Sequence, residues 1–125
     1  MEAKSTTATD AAAQQAQGIT RTDLQRADLS IDGREIIQNR VELTPEAPPF
    51  RHFHYGEEII YVLEGTMEYT IDGQEPLTVK AGEALMVPTK AVHAVKNVGS
   101  GPAAELATYI VEKGKPLLVD APSNR

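Results

Sequence analysis

The 125-residue chain contains no cysteine. That excludes a disulfide-stapled scaffold, a thiolate metal site, iron–sulfur ligation through cysteine, and cysteine catalysis. Nor does any apolar run approach the roughly 18 residues that a membrane-spanning helix requires. Positive charge is in deficit: 12 Lys and Arg stand against 18 Asp and Glu, a formal net charge of −6. The basic residues are scattered rather than grouped into a stripe that could release counterions, so neither nucleic acid nor an anionic membrane is expected as a partner. There is no apolar leader-type stretch near Met1, so the chain as written reads as cytoplasmic. An exported protein whose signal has been removed would read the same way. No segment repeats at a fixed period, which argues against a propeller or a solenoid.

What is present is enough for one domain. Hydrophobic residues make up 41% of the sequence, although aromatics are only 5% and tryptophan is missing. Residues 1–17 are rich in Ala, Thr and Gln and carry no greasy face, so they read as a disordered or loosely attached arm. Residues 18–118 read as a single β domain, and residues 119–125 as a tail. Within the domain, Ile37, Val41 and Leu43 follow a two-residue spacing. Three prolines between Thr44 and Pro49 then mark a loop. The run Ile59 to Leu63 is rich in β-branched and aromatic types. Met67, Tyr69 and Ile71 alternate up to the Asp72–Gly73 turn, and Leu77–Val79, Leu85–Val87, Val92–Val98 and Leu106–Val111 follow. About eight short strands with turn residues between them, and no helix beyond a turn or two, predict an all-β sandwich or barrel. Strand counting leaves those two open.

The polar residues carry the functional signal. His52 and His54 leave the same face of an extended chain, with Phe53 on the other. Glu58 opens the next strand, in phase with Ile60 and Val62, and His93 opens a strand much further on. Two imidazoles on one face, a nearby carboxylate and a distant imidazole are how a β protein assembles a divalent metal site. Mixed nitrogen and oxygen donors suit Fe, Mn, Ni, Co, Cu or Zn better than Ca or Mg. A lone pair of histidines two apart is also common on ordinary surfaces.

The spacing beyond that pair is more specific. His52-Phe-His54-Tyr-Gly-Glu-Glu58, followed by Gly65, resembles the first motif of the cupin superfamily, and Gly82, Pro88, His93 and Asn97 match the second at its spacing. The resemblance spans residues 46–97. It implies a jelly-roll β-barrel (double-stranded β-helix) holding one divalent transition metal on His52, His54, Glu58 and His93. A homodimer is expected from the habit of that family and from the need to cover edge strands. Two positions depart from the pattern, since glycines of the family are replaced here by Glu46 and Lys90. Neither is a ligand position. Both bear on loop geometry, and Lys90 either places a cation near the barrel mouth or is a solvated turn lysine.

Three imidazoles and one carboxylate around a divalent ion leave one net positive charge, which favours an anionic or enolisable oxygen ligand. A six-coordinate ion would keep two adjacent positions for it, so both Lewis-acid and redox chemistry are available. The expected function is therefore a small metal-dependent cupin enzyme, with a dioxygenase acting on a small oxygenated organic substrate preferred. A metal-dependent isomerase or lyase and a non-catalytic small-ligand-binding cupin are the alternatives. By parity Ile60, Val62 and Val95 point inward; Met67, Tyr69, Ile71, Leu85, Val87 and Tyr109 are further wall candidates, most of them expected to be plain core residues. Candidates for acid–base work are few: Glu57, Tyr61 and Tyr69. Asn97 is expected to serve packing or a backbone hydrogen bond.

Overall fold

The structure, a computed structural model, describes residues 17–121 of the chain. The expected arm over 1–17 lies outside the described residues except for Gln17. Ten strands occur in order: β1 (Ile19–Asp28), β2 (Arg34–Leu43), β3 (His52–Phe53), β4 (Gly56–Glu64), β5 (Thr66–Ile71), β6 (Leu77–Lys80), β7 (Ala84–Val87), β8 (His93–Asn97), β9 (Ala103–Glu112) and β10 (Val119–Asp120). There is no helix among the described residues. The strands form two five-stranded sheets, β1-β2-β9-β4-β7 and β10-β3-β8-β5-β6, with every pairing antiparallel. This is the jelly-roll architecture, and its core lies between the two sheets.

Alternation explains which side chains meet there. In β4, Gly56, Glu58, Ile60 and Val62 are buried, while Ile59 and Tyr61 are exposed. In β9, Ala103, Glu105, Ala107, Tyr109 and Val111 point inward. From the opposite sheet Met67, Tyr69 and Ile71 of β5 and Val79 of β6 complete the packing. Fully burying a Val, Ile or Met side chain contributes roughly 1.5–3 kcal/mol, so these alternating sets are the main force joining the sheets.

The connections follow the sequence closely. At Gly65, between β4 and β5, φ is +80°, and an added Cβ would lie 2.7 Å from the Pro102 carbonyl oxygen and 2.8 Å from the Ala103 Cβ. Asn97 ties a loop to the barrel: its Nδ2 donates to the carbonyls of Leu43 and Gly101, at 2.9 and 2.8 Å, and its Oδ1 accepts from the Gly99 amide at 2.9 Å. It is 2% exposed, so its amide bonds backbone groups that water does not reach.

Two strands fall where the sequence shows none. β3 and β10 have two residues each and pair with one another, Val119 opposite Phe53 and Asp120 opposite His52. Part of the stretch read as a tail therefore closes the edge of the second sheet.

The loop before β8 answers the question raised by Lys90. Lys90 is the only non-glycine residue with positive φ among the described residues, at +62°. Its amide donates to the His54 carbonyl at 3.0 Å, so the left-handed turn is kept even without glycine. Its side chain is exposed, does not line the cavity, and places Nζ 5.8 Å from the Tyr55 ring centroid. A left-handed conformation costs a side-chain-bearing residue roughly 1–2 kcal/mol, partly offset by the unfolded-state entropy that glycine adds. Lys90→Gly is expected to raise stability by about 0.5–1 kcal/mol, read as a higher urea midpoint at unchanged slope. A lower midpoint would show that the Lys90 side chain stabilises the loop.

Candidate metal centre

β3 and β8 bring the first two ligands together, because His52 and His93 are Cα partners across the sheet. Their ring centroids lie 4.3 Å apart. His54 follows β3 on the same face, with its ring 4.9 Å from that of His52 and 5.0 Å from that of His93. Glu58 comes from β4 of the facing sheet. All four side chains are buried, and one ligand atom from each can be chosen so that all lie within 4.8 Å of one another. The structure thus gathers the four residues expected from the two motifs.

The hydrogen bonds fix how the rings face. Nδ1 of His52 lies 2.9 Å from the Phe50 carbonyl, Nδ1 of His54 is 2.6 Å from that of Leu117, and Nδ1 of His93 is 2.9 Å from that of Ala91. A carbonyl only accepts, so each Nδ1 carries the hydrogen, and in the neutral ring Nε2 keeps its lone pair. Nε2 of His54 and Nε2 of His93 each lie 3.1 Å from Oε1 of Glu58. With the two rings neutral, their lone pairs and the carboxylate would converge on one buried spot that calls for positive charge between them. A metal ion would supply it, and outer hydrogen bonds to metal-binding imidazoles are the usual support for such a site. The donor set fits a single metal ion.

The electrostatics agree. Burial, and then the neighbouring His93 and His54, push His52 down to about 3, so this ring stays neutral and able to bind a metal. Burial pushes the Glu58 carboxyl up, but its contacts with His54 and His93 outweigh that and hold it well below the usual carboxylate range. Burial likewise pushes His93 down, and the hydrogen bond and charge of Glu58 outweigh this and raise it.

The centre opens into a cavity of about 470 Å³. Ile19, Val41, Leu43, Phe50, Val95 and Leu118 supply apolar wall, and Arg21, Tyr69, Glu105 and Tyr109 supply polar groups. Tyr109 packs edge-on against the His54 ring at 4.8 Å and accepts a hydrogen bond from Arg21 at 3.5 Å. The Tyr69 hydroxyl donates to Oε1 of Glu105. Glu105 is 4% exposed, and burial, followed by the charge of Glu58, raises its carboxyl to about 7. Burial raises the Tyr69 and Tyr109 hydroxyls as well, so both remain protonated.

The three acid–base candidates separate. Tyr69 lines the cavity. Glu57 and Tyr61 share the opposite face of β4 from Glu58, with Tyr61 44% exposed, and neither lines the cavity. Of the wall residues expected by parity, Val95, Tyr69 and Tyr109 line the cavity, whereas Ile60, Val62, Met67, Ile71 and Val87 pack in the core beside it. Sequence reasoning overlooked Glu105 and Arg21. The signal for Glu105 was available: it is an acid on the inward phase of a strand whose other inward residues are Ala103, Ala107, Tyr109 and Val111.

This fold and this site define a metal-binding β-barrel of the double-stranded β-helix type. A family model for the cupin domain matches residues 39–111, and the chain belongs to that family. It is 43% identical over 49 residues to the polyketide synthase CurC of Streptomyces cyaneus, a match covering 38% of this chain and 31% of that protein. It is 38% identical over 76 residues to germin-like protein 1-1 of Oryza sativa subsp. japonica, covering 56% and 35% respectively. The matched segments thus span about a third of either relative. Among solved structures, the DMSP lyase DddQ from Ruegeria pomeroyi superposes with a TM-score of 0.68 at 19% identity, over 86% of this chain and 54% of that one.

Proposed function

We propose that this protein is a metal-dependent cupin enzyme that binds a small oxygenated organic anion at the His52–His54–Glu58–His93 centre and reacts it with dioxygen. The observation that carries this reading is the buried three-histidine, one-glutamate cluster at the base of a cavity lined by both apolar and polar side chains. A first-row ion held there would supply a Lewis acid with one net positive charge and, for a redox-active metal, a route for electrons. The apolar part of the wall lowers the local dielectric and so strengthens attraction for an anion. Tyr69, Glu105 and Arg21 furnish polar contacts for the part of the substrate that faces away from the ligands. A second reading, a metal-dependent isomerase or lyase, is favoured by one specific observation: Glu105 is an acid–base group of suitable strength in the same cavity.

The test compares chains loaded with Fe(II), Mn(II), Ni(II) or Zn(II), each given small 2-oxo acids, 2-hydroxy acids and 1,3-diketones in an oxygen electrode. Oxygen uptake above that of the free metal, present with a redox-active ion and absent with Zn(II), is the expected result. Conversion of the same compounds without oxygen uptake would replace the dioxygenase with the second reading. No binding and no conversion with any metal would overturn both.

A further inference from the structure

Three acids are buried among the described residues: Glu35, Glu58 and Glu105. Glu35 is matched by Arg26, whose Nε and Nη2 each donate to it at 2.9 Å. Glu58 belongs to the metal centre. Glu105 is neither a ligand nor part of an Arg–carboxylate fork. It sits on the inward face of β9, its Cα opposite Val41 on one side and Val62 on the other. An aliphatic side chain would fill that position without taking a carboxyl out of water. The carboxyl instead faces the cavity the metal ligands open into, and its oxygen is held by the Tyr69 hydroxyl from the opposite sheet.

We propose that Glu105 is an acid–base catalytic residue of this site, taking a proton from the substrate bound at the metal centre, and that Tyr69 is its positioning residue. The inference rests on the site being a centre for small oxygenated anions, as set out above. In the step, a C–H bond next to the substrate's carbonyl breaks and an O–H bond forms on a Glu105 oxygen. The C–H electron pair becomes a carbon–carbon π bond as the carbonyl π pair moves onto its oxygen. Return of the proton to carbon reverses the step and regenerates the carboxylate, and no oxidant or reductant is consumed.

Groups on four other strands set the balance of charge at Glu105, while β2, paired beside it, presents the apolar Val41. Glu58 of β4 favours the protonated form, as burial does, while Tyr69 of β5, Arg21 of β1 and His93 of β8 favour the carboxylate. Tyr109 lies on the same face of β9 as Glu105. Without metal the outcome is about 7; the positive charge of a bound ion would move the balance toward the carboxylate, the form that takes a proton from substrate.

The experiment uses Co(II)-loaded full-length chain with pyruvate as the probe, in D2O, followed by NMR exchange of the methyl hydrogens. The visible Co(II) spectrum reports pyruvate binding independently of exchange, and infrared difference spectra of the metal-free chain report protonated carboxyl groups. Wild type is expected to exchange, with a rate that rises with pH as Glu105 ionises and then reaches a plateau. Glu105→Gln should bind metal and perturb the Co(II) spectrum with pyruvate as wild type does, exchange at least ~100-fold more slowly, and lose one carboxyl titrating near neutrality. Tyr69→Phe, which removes a donor to the carboxylate, should move the pH midpoint of exchange upward while keeping the rate at its plateau. An unresponsive Co(II) spectrum in wild type would bring down the anion-binding reading and this proposal with it. A responsive spectrum with no exchange in wild type, or with undiminished exchange in Glu105→Gln, would overturn the role of Glu105 alone. The infrared titration needs only well-folded wild type as its baseline, and the absence of a carboxyl titrating near neutrality there would also overturn the proposal.

Discussion

His54→Ala is expected to bind at least ~tenfold less metal than wild type when both are purified without a chelating tag and assayed for metal per chain. Loss of partners that merely orient a ligand already costs about 10–100-fold in affinity, and here the ligand itself is removed. His54 is 2% exposed, held by the Leu117 carbonyl on one side and facing Oε1 of Glu58 on the other. Its loss leaves His93 as the remaining histidine within 3.1 Å of Oε1 of Glu58. Glu57→Ala is the matched control: it removes a carboxylate next in sequence to Glu58 but on the other face of β4, and should retain the metal. A bound ion also stabilises the folded chain by mass action, so added metal should raise the melting temperature of wild type far more than that of His54→Ala. Equal metal content in the two chains would remove His54 from the site.

Gly56→Ala is expected to be the most damaging single methyl addition to the barrel. At Gly56 φ is +157°, and a Cβ there would lie 2.0 Å from the carbonyl oxygen of Ile110, 2.7 Å from the Val111 Cα and 2.9 Å from the Ile110 carbonyl carbon. These are backbone atoms of the strand paired with β4, so no rotamer change relieves the contact. The strands must separate where Gly56 faces Val111 and, two pairs on, where Glu58 faces Tyr109. A loss of about 4 kcal/mol or more is expected, in the range reserved for strained or overpacked sites. Urea unfolding checks it. Because the same displacement moves Glu58, metal affinity should fall even in conditions where the variant folds. A midpoint within about 1 kcal/mol of wild type would show that β9 yields more readily than its packing implies.

Much of the barrel was legible because alternation and turns act locally. Ile37, Val41 and Leu43, with Asn39 filling the same phase between the first two, and then Met67, Tyr69 and Ile71, keep a two-residue phase because one face of each strand is covered by the other sheet. The same reasoning placed Glu58 inward and Glu57 outward, and applied to Tyr61 it would have set that residue apart from Tyr69. β3 and β10 were not legible. Two residues carry no period, and they are strands only because distant segments pair. The ligand set could be read because its spacing is a pattern in the chain. Glu105 and Arg21 have no such pattern. Each is a single polar residue in a strand, and only the meeting of two sheets around one cavity gives it a role.

The three imidazoles are steered from behind by main-chain oxygens of residues 50, 91 and 117, rather than by side chains. Substitution cannot delete a main-chain oxygen. The hold on the rings therefore does not depend on the chemistry of the side chains at those positions, although Leu117 is also part of the core, and the cavity walls can change without removing it. A scaffold wired in this way can be retuned for a new ligand one wall residue at a time, while the metal-holding apparatus passes unaltered from variant to variant.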